Sequence, residues 1–153
     1  MNKDYSELLK KIRKINPSKL DSLFLEYHND IFAKTDCLEC GNCCIGLGPR
    51  LSDTDIKRLS EHLKIKSSSF IDQYLRVDED KDYVFKAMPC PFLLEDNFCI
   101  VYKSRPKACR EYPHTNQKNM RSILNICVKN IEICPVVAEI FEKLEKRLNE
   151  NKI

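Results

Sequence analysis

Nine cysteines in a chain of 153 residues, four of them inside CLECGNCCIGLGPR (residues 37–50), constrain this fold more than any other feature. An odd number of thiols cannot all pair within one chain, so a pure disulfide scaffold is disfavoured. The start, MNKDYSELLKKIRK, lacks the apolar core of a secretion signal, and no stretch approaches the ~20 apolar residues of a membrane span. The expected setting is therefore the cytoplasm. In that reducing compartment dense cysteine points to metal or redox chemistry rather than to structural disulfides.

Spacing sharpens this reading. Cys37, Cys40 and Cys43 follow the C-x2-C-x2-C pattern that turns successive thiolates toward one centre, as zinc and iron–sulfur sites require. Cys44 departs from it, because adjacent side chains tend to diverge. It suits a second centre or another corner of a cluster. The remaining ligands must come from far along the chain, from Cys90 in MPCPF, Cys99 in NFCIVY, Cys109 in RPKACREYP and Cys134 in EICPVV. Four local and four distant thiols equal the demand of two four-thiolate centres, and also suit one cluster with a second, open site. All three glycines (Gly41, Gly46, Gly48) fall in the same short run, and most of the prolines lie near cysteines, which suits a ligand loop.

Around this sulfur the pattern is helical. Tyr5, Leu8, Leu9, Ile12 and Ile15 recur at mostly three- and four-residue spacing. Pro17 restarts the pattern as Leu20, Leu23, Phe24, Tyr27 and Ile31. Ser52 with Asp55 three residues on predicts a capped helix burying Ile56, Leu59 and Leu63, and Phe70, Ile71 and Tyr74 predict a short one after it. Pro135 opens a terminal helix with a stripe of Val136, Val137, Ile140, Phe141, Leu144 and Leu148. DYVFKAM and FCIVY read as extended pieces of a small hairpin, separated by the turn-rich EDN at 95–97. The expected fold is mainly α with a small β-hairpin, its helices packed around a cysteine-rich, metal-organised loop core. Residues 1–153 form one domain in this reading, with a helical extension at 1–34, a cysteine-cluster core at 37–135 and a terminal helix at 136–150.

The ordered series Cys37-x2-Cys40-x2-Cys43-Cys44, Cys90-Pro91-Phe92-Leu93, Cys99-Ile100-Val101-Tyr102, Arg105-Pro106-x2-Cys109-Arg110 and Tyr112-Pro113 resembles the YkgJ-like cysteine-cluster proteins. That family is described as zinc- or iron-chelating. The resemblance, over residues 37–135, implies metal binding by Cys37, Cys40, Cys43, Cys44, Cys90, Cys99 and Cys109, with a late cysteine completing the set. Cys134 suits that place and Cys127 competes for it. Some relatives are linked to methylation of flagellin lysines, but nothing in these residues carries that activity over.

Thiolates serve iron and zinc alike. All-sulfur ligation without paired histidines, and a last cysteine set before proline, favour an iron–sulfur cluster of the 4Fe–4S type, with zinc as the alternative. The expected role is electron transfer or support of an oxidoreductase. The rivals are a zinc-stabilised interaction module and an iron-dependent protein-modifying enzyme such as a lysine-methylation factor. Whether the chain is an enzyme is left open, since it has no phosphate loop, nucleotide-binding glycine fingerprint or HExxH helix.

A balance of 26 basic against 23 acidic residues is too even for a nucleic-acid footprint. Locally, Lys103, Arg105, Lys107, Arg110, Lys118 and Arg121 face only Glu111, a segment suited to an acidic protein redox partner or simply to water. Arg105 and Arg110 lie within the motif and are expected to support the bound group from behind its ligands. His114 reads as a surface or hydrogen-bonded residue, Cys127 as a small core residue, and Tyr102 and Tyr112 as packing that keeps water away.

Overall fold

The computed structural model describes residues 4–153. The chain divides into two compact units, one built from the segment up to Thr35 and again from Pro113 to the end, the other from Asp36–Tyr112. Residues 113–135, grouped with the cysteine core by sequence, therefore fall in the helical unit.

That helical unit comprises α1 (Ser6–Ile12), α2 (Pro17–Phe32), α8 (Met120–Asn130) and α9 (Pro135–Asn149). The Asn16 side chain accepts the backbone N–H groups of Ser18 and Lys19 at 3.0 and 3.2 Å, so α2 begins where Pro17 restarts the pattern. Leu20, Leu23, Phe24, Tyr27 and Ile31 are buried, as are Val136, Val137, Ile140, Phe141 and Leu144 of α9. Phe141 meets Tyr5 and Phe24 edge-on, each with ring centroids 6.1 Å apart. α8 carries no clear sequence signal. Its first turn is capped from α2, where the Asp21 carboxylate accepts the Asn119 and Met120 N–H groups at 2.8 Å.

The second unit contains α3 (Cys37–Cys40), α4 (Asn42–Gly46), α5 (Asp53–Leu63), α6 (Ser67–Tyr74), β1 (Leu75–Val77), β2 (Tyr83–Phe85), a 3₁₀ turn at Tyr102–Ser104 and α7 (Lys107–Glu111). Ser52 and Asp55 form the reciprocal cap that their spacing predicts. The hairpin pairs Leu75, Arg76 and Val77 with Phe85, Val84 and Tyr83. It thus lies upstream of its expected place. FCIVY contributes only one antiparallel bridge, Leu93 with Cys99, because residues 94–98 close into a tight turn with the Leu94 N–H bonded to the Phe98 carbonyl at 2.9 Å. The chain reverses instead at Asp78, whose carboxylate accepts the Asp80 and Asp82 N–H groups.

Leu51, Ile56, Leu59, Phe70, Leu75, Phe85, Phe92 and Val101 form this unit's own core. Phe92 lies among Phe70, Tyr74 and Phe85, with centroids 6.2, 5.0 and 5.7 Å away. Phe92 and Val101 each stand two residues beyond a cysteine, so burying them fixes the backbone that carries Cys90 and Cys99. Among the described residues no helix is long and apolar enough to cross a membrane.

Candidate metal centre

Sequence suggested a loop for CLECGNCC, but the segment folds as two single helical turns. The Asp36 carboxylate opens α3 by accepting the Leu38 N–H at 2.8 Å. Gly41 then breaks the helix with a left-handed φ of +63° and starts α4. The Asn97 amide donates to the Glu39 carbonyl at 3.0 Å, and the Cys90 N–H donates to the Cys44 carbonyl at 2.8 Å. Two distant segments are thereby fastened to the helical turns that bear the first four cysteines. Gly46 and Gly48 have room for a side chain, so only Gly41 of the three is required by its surroundings.

A Cβ on Gly41 would stand 2.8 Å from the Asn97 Oδ1. Gly41→Ala is accordingly expected to destabilise the unit by about 2 kcal/mol, from left-handed strain together with loss of the Asn97–Glu39 bond. A lowered denaturant midpoint at unchanged slope would register it.

The thiols interact. Cys43 donates to the Cys44 sulfur, and this bond, then burial, then the negative neighbours Cys44, Cys109 and Cys37 hold the Cys43 proton in place. Cys44 is held below the ordinary thiol value by that bond first and, against the opposing effect of burial, by the Arg105 charge. Burial, followed by neighbouring thiolates, pushes Cys90 up to about 11 and Cys109 up to about 12. Burial also raises Cys99. Arg105 pulls Cys99 and Cys109 the other way. Its guanidinium lies 3.8 Å over the Tyr102 ring and donates to the Tyr102 carbonyl at 2.7 Å. Tyr102 is thus the platform for the cation that faces these sulfurs.

Cys44, Cys90, Cys99 and Cys109 therefore interact electrostatically, Cys43 joins them through Cys44 and Cys109, Cys37 reaches Cys43, and no cysteine is in a disulfide. Among the described residues no three Cys, His, Asp or Glu side chains are already gathered around one point. The donor chemistry of these thiols fits a thiophilic ion or cluster.

The family described as "CxxCxxCC: Putative zinc- or iron-chelating domain" matches residues 36–128, well over half of the chain. The chain belongs to this family. The uncharacterized protein MJ0661 of Methanocaldococcus jannaschii is 31% identical over 87 residues, which covers 53% of this chain and 45% of that protein. The chain thus spans less than half the length of that relative. No solved structure matches it.

The family's domain begins where the second unit begins, at Asp36. Cys134, expected to complete the ligand set, belongs to the helical unit, where it precedes α9 and packs against the core. Cys127 is fully buried in that same core. Arg110 is exposed on α7. Within the basic segment Lys107 pairs with Glu111 at 3.6 Å, and Arg121 bonds the Ile15 carbonyl.

Sequence reading saw Asp55 only as a helix cap and gave no sign of Arg58. Burial opposes ionisation of Asp55. The Ser52 N–H and hydroxyl, the Lys107 N–H and the Arg58 guanidinium outweigh it and hold the carboxyl at about 2. A depressed carboxyl stabilises the fold above its unfolded value near ~3.9, and that stabilisation is lost as pH falls through the folded value. Asp55→Asn is therefore expected to lose about 2 kcal/mol near neutrality, with the difference from the parent protein shrinking to nothing toward pH ~2. Urea titrations at several pH values would follow it.

Proposed function

We propose that this chain holds an iron–sulfur cluster, of the 4Fe–4S type, through thiolates of the 36–112 unit, and that it transfers electrons or supports an oxidoreductase in the cytoplasm. Membership of a zinc- or iron-chelating family gives the coarser half of this reading. The observation that supports the finer half is the interaction of Cys44 with Cys43, Cys90, Cys99 and Cys109, with the Arg105 charge acting on Cys44, Cys99 and Cys109. A cluster ligated by four thiolates is anionic, and a fixed guanidinium beside it offsets that charge and raises its reduction potential. Cys44, Cys90, Cys99 and Cys109 are the four we assign to it, with Cys37, Cys40 and Cys43 as donors for a second centre. The exposed Lys103 and Arg110 supply positive charge for an acidic redox partner.

Purification without oxygen, followed by iron, sulfide and zinc analysis, tests this. A brown protein with broad absorption near ~400 nm and matching iron and sulfide is the expected result. A colourless protein that carries zinc alone would replace the cluster by a four-thiolate zinc site on the same residues.

A further inference from the structure

The residues that orient Arg105 and Cys109 are not themselves part of the cysteine motif. They lie on one face of α5. Arg58 donates from Nε to the Ser104 carbonyl at 3.2 Å and from Nη2 to the Arg105 carbonyl at 2.9 Å. The same Nη2 reaches Asp55 Oδ1 at 2.5 Å, and that oxygen accepts the Lys107 N–H at 3.0 Å. Asp55 is 3% exposed, and its other carboxylate oxygen is taken by the Ser52 N–H and hydroxyl. The chain between Ser104 and Lys107 is thus gripped on two carbonyls and one amide by an ion pair whose carboxylate is buried and whose guanidinium is half-buried. Arg105 lies inside the gripped stretch, and Cys109 stands one helical half-turn beyond it on α7.

Pro106 lies in the middle and has no N–H of its own, so the backbone there cannot be fixed by ordinary helical bonding. The ion pair supplies the missing restraint. A restraint of this kind matters most to groups that must meet others at bond length, since a ligand displaced by about 1 Å no longer coordinates.

We infer that Asp55 and Arg58 are positioning residues of the metal centre, holding Arg105 and Cys109 toward the other thiols. This inference rests on the metal-holding reading of the cysteines. Neither side chain touches the bound group. Both act through the Ser104–Lys107 backbone, and loss of either is expected to weaken metal binding by the 10–100-fold typical of residues that orient ligands.

The test uses the full chain and cobalt(II) alone as the probe, because cobalt–thiolate charge-transfer absorption reports how many sulfurs are bound. Asp55→Asn and Arg58→Lys are compared with Cys109→Ala, with the Asp55→Asn/Cys109→Ala double variant, and with Leu63→Ala. Leu63 packs against the core of the same unit at the far end of α5, so its truncation weakens α5 but leaves the grip on Lys107 and Arg105. Expected are a weaker charge-transfer band per cobalt and a ~10-fold or larger loss of affinity in Asp55→Asn and Arg58→Lys, and parental spectra in Leu63→Ala. Relative to Cys109→Ala the double variant should lose much less than Asp55→Asn loses relative to the parent protein, since only Arg105 is left to orient.

Parental spectra in Asp55→Asn and Arg58→Lys would overturn the inference, as would additive losses in the double variant, or a loss in Leu63→Ala equal to theirs. If Asp55→Asn does not fold, Arg58→Lys, which keeps the charge but not the fork, decides the matter alone. Failure of the parent protein itself to bind cobalt through sulfur would sink the metal-holding reading instead, which keeps the two failures apart.

Discussion

Cys109→Ala is expected to weaken metal binding by more than about 100-fold and to lower the thermal midpoint of the metal-loaded form. The thiol is half-buried on α7 and interacts with Cys44, Cys90, Cys99 and Arg105, so its removal opens one side of the set. Supporting residues around metal ligands cost 10–100-fold in affinity when removed, and a ligand should cost more. Because Cys44, Cys90, Cys99 and Cys109 come from distant segments of the 36–112 unit, a group bound between them would tie those segments together, and the lost binding energy appears as lost stability. Metal content by elemental analysis and a melting curve with and without chelator measure both effects. Cys127→Ala is the matched control: a fully buried sulfur in the helical unit, whose removal should leave metal content unchanged. Equal metal loss in the two variants would reverse the ligand assignment.

The second large effect belongs to the helical unit. Phe141 is 1% exposed and holds edge-on contacts with both Tyr5 and Phe24. Phe141→Ala removes a whole ring from a packed core and leaves a cavity, which costs about 3–5 kcal/mol. Against the ~5–15 kcal/mol of a typical domain, that is enough to unfold a good part of the population. Chemical denaturation followed by far-UV circular dichroism would show the midpoint falling sharply. Phe141→Leu, which keeps most of the apolar volume, should recover more than half of the loss.

How legible these features are in the sequence depends on how local their causes are. α2, α5, α6 and α9 announce themselves, because the Pro17, Ser52 and Pro135 signals and the apolar stripes act within one or two turns. α8 does not, since its cap comes from Asp21, 98 residues before Asn119. The hairpin was displaced for a similar reason. FCIVY has strand-like composition, but the tight turn at 94–98 and burial of Val101 leave room for a single bridge, and the strand at Tyr83–Phe85 finds its partner behind it rather than ahead. Within the candidate site the cysteines and Arg105 stand out by spacing and by motif. Asn97, Arg58 and the second duty of Asp55 cannot be seen this way, because each acts on a backbone group some forty or more residues distant. The two helical turns at 37–46 leave no mark in the sequence, because four cysteines and two glycines carry no helical stripe.

The chain enters the four-helix unit, leaves it after Thr35, and returns at Pro113. During synthesis the thiol-bearing segment is complete before α8 and α9 exist, so α2 must wait for its partners until that segment has been made. An unfolded insert of this length would burden the closing of α2 onto α9 with the entropy of a long loop, and a folded one shortens it. Delivery of the inorganic group early, to the nascent insert, would therefore hasten assembly of a bundle that contributes its own separate core.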